Sequence, residues 1–149
     1  MQTQQTTPTT SLKLGLNAFI GEWLMEGHQH DGPFGSAAPV VARECFDFLT
    51  GGAFIVHRME GRLGDAALAC LEVIGNGASH CYYSNGSERL WRITQKSPKV
   101  WVFSGKAGPL LLRCTTVFSD DGKWRHAKWE YADQDAWSVF WDTLAFKKS

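Results

Sequence analysis

The chain has 149 residues, with Lys plus Arg equal to Asp plus Glu at 15 each, and it carries seven Trp and nine Phe. That length favours one domain with a sizeable core. A formal charge of zero, without blocks of one sign, leaves no footprint for nucleic acid or for an acidic surface partner.

The aromatic share of 13% favours a β-rich protein, because flat rings suit pleated surfaces. It fits either a Trp-rich core or an aromatic-lined cavity. Cys45, Cys70, Cys81 and Cys114 show no CxxC and no zinc spacing. No apolar run approaches the length of a membrane span, and no signal-peptide core follows Met1. The expectation is a cytoplasmic protein with reduced thiols and no membrane partner. Cys70 and Cys81 fall on successive predicted strands and are placed to pair if oxidised.

In chain order, residues 1–10 (MQTQQTTPTT) are polar and read as a disordered tail, and 11–149 as a single domain. Ser11 is a candidate cap for a short helix in which Leu12, Leu16, Phe19 and Ile20 share helical spacing, and which plugs one end of the fold. From Gly21 the pattern changes to short strands bounded by turn residues. They are predicted at Gly21–His30, Val40–Leu49, Ala53–Arg62, Leu68–Ile74, Ser79–Ser84, Glu88–Gln95 and Lys99–Ser104. Two further strands flank Ser119-Asp120-Asp121-Gly122, where Gly accepts the positive φ a hairpin turn needs. A tenth covers Ala136–Phe146. About ten strands with short links and no long helix predict an all-β, antiparallel up-and-down barrel with a short N-terminal helix. A Greek-key sandwich is the competing architecture, but its long crossings are not visible.

Several motifs resemble a bacterial lipocalin-like family of the calycin superfamily. Gly21-Glu22-Trp23 after a short helix is similar to the Gly-x-Trp opening of such barrels. Arg113, the Asp-Gly turn, Trp129-Glu130 and the last strand with Trp137 and Asp142 follow the family's order. Ser84-Asn85-Gly86 with Arg89 matches its middle turn and its Arg. The resemblance spans roughly 21–148 and implies a small closed barrel with a central cavity, without an established reaction. The family is more distantly like nitrobindins and fatty-acid-binding barrels. Nitrobindins carry a late His as haem ligand, whereas the last His here is His126. No haem or other cofactor is expected.

Strand alternation sorts the candidate side chains. Arg113 and Glu130 lie on opposite arms of one hairpin and are not obviously cross-strand partners. If both point inward, Arg113 offers a fork for a carboxylate or carbonyl and Glu130 an acid/base; the alternative is a structural pair. His57 shares a face with Ile55 and Met59, as a satisfied core His or a cavity acid/base. His28 and His30 share a face but lack an evident third ligand, so no metal is expected. The leading expectation is binding of a small apolar or aromatic molecule, with Arg89, Arg113, Trp91, Trp101 and Tyr82 as ligand-binding candidates. A second is an isomerase, cyclase or hydratase using Glu130 or His57. The third is a ligand-free module whose aromatic face forms a homodimer. The first two need a cavity, of about 300 Å³ or more for a drug-sized ligand.

Overall fold

The computed structural model describes residues 15–149. The tail expected over 1–10 and the start of the expected helix at Ser11 lie outside the described residues. Ten strands follow in chain order: β1 (Gly21–Gln29), β2 (Ala38–Phe48), β3 (Ile55–Leu63), β4 (Ala66–Gly75), β5 (Ala78–Tyr83), β6 (Glu88–Ser97), β7 (Val100–Ala107), β8 (Leu110–Phe118), β9 (Trp124–Asp133) and β10 (Ala136–Lys147). Sequence neighbours pair antiparallel throughout, and β1 also pairs with β10, so the sheet closes into an up-and-down barrel. Closure removes the unpaired strand edges that an open sheet of this size would expose.

The turns that delimit the strands are local chemistry. At Ser119–Gly122, Gly122 takes a φ of 69° and its N–H donates to the Ser119 carbonyl at 3.0 Å. The Asp121 carboxylate accepts from the Lys123 N–H and the Ser119 hydroxyl, so the turn satisfies its own backbone. Those bonds, the backbone one first, hold the Asp121 carboxyl below the ordinary value.

Of the expected N-terminal helix, the described residues contain the 3-10 turn Asn17–Phe19. It closes the barrel end at which β1 begins. Phe19 is buried and packs edge-on against Phe118, at 4.8 Å between ring centres, and against Trp101 and Phe103. The Trp23 indole N–H donates to the Phe19 carbonyl at 2.8 Å, satisfying a polar atom that full burial would otherwise strand. The opposite end is covered by the loop between β1 and β2, where a bridge joins Gly32 to Gly35 and Phe34 packs on Phe140 at 4.5 Å. Among the described residues no helix is long and apolar enough to cross a membrane.

Closure also needs sharp strand bending, and two inner-face glycines allow it. A Cβ at Gly61 would sit 2.1 Å from the Val41 carbonyl oxygen, and one at Gly27 would sit 2.1 Å from that of Asp142. No side chain fits there without moving a neighbouring strand. Gly61→Ala is therefore expected to lower unfolding free energy by roughly 1–3 kcal/mol, the usual cost of overpacking. Urea unfolding measures it, and a stability equal to wild type would refute the close approach.

Candidate functional site

The barrel is not packed solid. An internal cavity of about 230 Å³ runs from the aromatic plug towards the covered end. It falls short of the roughly 300 Å³ at which drug-sized ligands fit, but exceeds the roughly 150 Å³ of an engineered apolar cavity that takes up benzene. One or two rings are the scale of molecule it admits.

Its walls follow from alternation along the strands, except on β10, where a bulge between Val139 and Trp141 brings the consecutive Phe140 and Trp141 both to the lumen. On β6, β9 and β10 the inward positions bring Trp91, Trp129, Phe140 and Trp141 to one wall. Trp91 and Trp129 meet edge-to-face at 5.3 Å between ring centres. On β4 and β5, Cys70, Cys81 and Tyr83 face the same space. Cys70 pairs across the ladder with Tyr83, and Cys81 with Glu72, so the two cysteines are diagonal neighbours; both are free thiols. The hydrogen bond to Cys81 and burial both hold the Cys70 thiol well above its ordinary value. Burial likewise pushes Cys114 up to about 12, so the Cys70 and Cys114 sulfurs stay protonated and weakly nucleophilic at neutral pH, whereas the hydrogen bond with Cys70 holds Cys81 below its ordinary value.

The floor, next to the plug, is charged. Glu44 on β2, His57 on β3, Glu72 on β4 and Arg125 on β9 all point inward and are buried. His57 Nδ1 lies 2.9 Å from Glu72 and Nε2 lies 3.0 Å from Glu44. Arg125 donates to the other oxygen of Glu44, and the Ser79 hydroxyl donates to Glu72. The imidazole also stacks on Phe46 at 3.9 Å and 4°. Burial disfavours a charged His57, but the hydrogen bonds and charges of the two glutamates outweigh it and raise its pKa to about 9. Burial equally opposes ionisation of Glu44, yet Arg125 and His57 hold its pKa at about 2. The Glu44 and Glu72 carboxyl groups thus meet the Arg125 guanidinium and the His57 imidazolium, the arrangement that makes buried charge tolerable. A protonated His57 donates from both nitrogens and has no lone pair with which to take a proton from a ligand.

The open end is polar and lightly charged. Arg89, Asn85 and Ser87 line the rim, with the Arg89 guanidinium 5.7 Å from the centre of the Phe34 ring. Gln29 ties the covering loop down by donating to the Ser36 carbonyl at 2.9 Å while accepting from the Trp141 indole at 2.8 Å.

The residues singled out in the sequence divide between the two faces of the barrel. Arg89, Trp91 and His57 line the cavity. Trp101 is buried but packs against Phe19 at the plugged end, outside the cavity wall. Tyr82 lies on the outer face, 44% exposed, and it is Tyr83 that faces in. Arg113 and Glu130 face outward. Their pairing, which is not obvious from the sequence, is set by the register, which places them directly opposite one another. Arg113 grips both carboxylate oxygens of Glu130, at 3.0 and 3.2 Å, and lies 3.9 Å above the Trp137 ring. This outer-face clamp keeps both charges away from the lumen. His28 and His30 are exposed at the open end of β1 and beyond it, and no cluster of three or more potential metal ligands occurs among the described residues.

Sequence reading missed Glu44, Glu72 and Arg125. A signal for them existed. Glu44 alternates with Val40, Ala42 and Phe46, Glu72 with Cys70 and Ile74, and Arg125 with Ala127 and Trp129, so each charge sits on an otherwise apolar strand face.

No family model and no curated relative matches the sequence. Solved structures do. An S-type phycobiliprotein lyase from Guillardia theta superposes with a TM-score of 0.59 at 9% identity, covering 96% of this chain and 99% of that one. Rv2717c from M. tuberculosis superposes with a TM-score of 0.58 at 11% identity, covering 91% of this chain and 98% of that one. At such identities the likeness establishes the fold: a calycin-like barrel over nearly the whole length.

The buried network sets a pH dependence. The folded pKa of His57, about 9, lies above its ordinary value of 6.5. Its contribution to stability is thus complete below pH 6.5 and lost as pH rises through 9. Wild type is expected to lose roughly 3 kcal/mol across that window by this term. His57→Gln should be less stable at pH 6 and lack that slope; urea unfolding from pH 6 to 10 compares the two, and parallel profiles would refute it.

Proposed function

We propose that the protein binds a small, largely apolar or aromatic molecule inside the barrel, oriented by a few polar groups. The observation that carries this reading is the retained cavity, walled by Trp91, Trp129, Phe140 and Trp141 and floored by a self-neutralised charge network. Side chains available on this barrel would close such a space if a solid core were its purpose, and small residues such as Ala127 stand at its wall instead. An apolar aromatic wall with few polar groups is the usual make-up of a small-molecule site. The fold shared with an S-type phycobiliprotein lyase supports a role carried out around the barrel interior, without naming a ligand. Binding is favoured over acid–base catalysis, because Glu130 faces outward and both nitrogens of His57 are engaged by carboxylates.

The test is titration with naphthalene and indole, read by isothermal calorimetry. Saturable binding near one equivalent is expected. Ala127→Leu, which fills the cavity, should weaken it at least about tenfold, since displaced ring contacts of this kind are worth more than 1.4 kcal/mol. Glu130→Gln, altered on the outer face, should leave affinity unchanged. Absence of saturable binding, or equal affinity in Ala127→Leu, would reject the cavity as the site.

A further inference from the structure

We infer that the ligand is a monoanionic carboxylate, held with its apolar or aromatic body in the barrel and its carboxylate at the open rim on Arg89. The inference rests on the cavity-binding reading and adds to it the ligand's charge and direction.

Three cationic side chains line the cavity: His57, Arg89 and Arg125. Two of them already have their charge paired, although the Arg125 Nε–H is buried without an acceptor among the described residues. His57 is held between Glu44 and Glu72, and Arg125 by Glu44, so the floor already balances its own charge. A carboxylate pushed down to that floor would bring a third anion to two cations in a water-poor space, which is strongly unfavourable. Arg89 differs. It is on the inner face because it pairs across the ladder with the buried Cys81 and lies two residues before the buried Trp91. It makes no ion pair with any described acidic side chain, and its recorded contact is with the Phe34 ring. Its guanidinium thus keeps its donors for an incoming group at the more lightly covered end of the barrel.

Asn85 adds a second donor. Its side-chain oxygen accepts from both the N–H and the hydroxyl of Ser87, at 2.9 and 2.6 Å, which assigns the amide orientation and leaves its NH₂ without an acceptor among the described residues. A planar carboxylate matches the fork of an arginine, and the single cation without an acidic partner among the described cavity-lining residues matches a single negative charge, whereas a phosphate dianion would need more. The apolar part of such a molecule then lies inward, against Trp91, Trp129 and Phe140.

The experiment compares trans-cinnamate with trans-cinnamamide, which share a body and differ in charge. Calorimetric titration of wild type, Arg89→Gln and Arg89→Lys at low ionic strength reads the difference. Wild type should bind cinnamate about tenfold or more tighter than the amide, the scale of one charge-assisted hydrogen-bonded pair. Arg89→Gln should lose that preference, its affinities for cinnamate and the amide falling within about twofold of one another. Arg89→Lys should retain part of the preference, having charge without the fork. Equal affinity of wild type for the two compounds, or a preference that survives Arg89→Gln, overturns the anion site while leaving the cavity reading standing. Failure of both compounds to bind overturns both.

Discussion

The arrangement of this protein depends on a charge network that the barrel encloses. Arg125 on β9 reaches Glu44 on β2, two strands that are not ladder neighbours but face each other across the lumen. His57 on β3 and Glu72 on β4 extend the chain of contacts, so four strands are tied through the interior as well as around the wall. Buried ion pairs are poor sources of net stability, since desolvation cancels most of their attraction. Their effect is on specificity. Any strand slip or facing change would leave an unpaired charge in an apolar space, an error costing several kcal/mol.

The same network shapes the cavity. Aromatic rings seal the end next to it: Phe19, Phe46, Phe103 and Phe118 pack around the plug, and the Arg125 guanidinium lies 5.0 Å from the Trp23 ring centre. The open end is covered more lightly, by one loop pinned through Gln29 and Phe34. This asymmetry gives the interior a direction. Charge at the floor is paired, although the Arg125 Nε–H is buried there without an acceptor among the described residues, while polarity at the rim is available and the span between them is apolar.

Much of the fold was legible in the sequence. The ten strands lie where turn residues and alternation put them, within a few residues at each end. Turn chemistry explains this, because Asp-Asp-Gly and Asn-Gly stops act locally and do not depend on tertiary context. The site was legible only in part. His57, Arg89 and Trp91 line the cavity, and alternation within their strands is enough to put each on the inner face. Arg113 and Glu130 drew attention as charges on β strands, yet they serve an outer-face clamp with Trp137.

By itself the sequence determined strand number, order and turns, and with them a meander whose edges must close. It also determined which side chains share a face, because successive residues in a strand point to opposite sides. Tertiary structure alone decided how the charges on each face are satisfied. On β9, Arg125 shares the more apolar face with Ala127 and Trp129 and alternates with His126, Lys128 and Glu130, so turning that face inward buries a charge whose partner alternation does not supply. That partner comes from a distance. Arg125 turned inward meets Glu44, which lies 81 residues away in the chain, while Glu130 turned outward meets Arg113 across the hairpin. Each charge faces the side where its partner is, and a partner that distant becomes a neighbour only when the barrel closes.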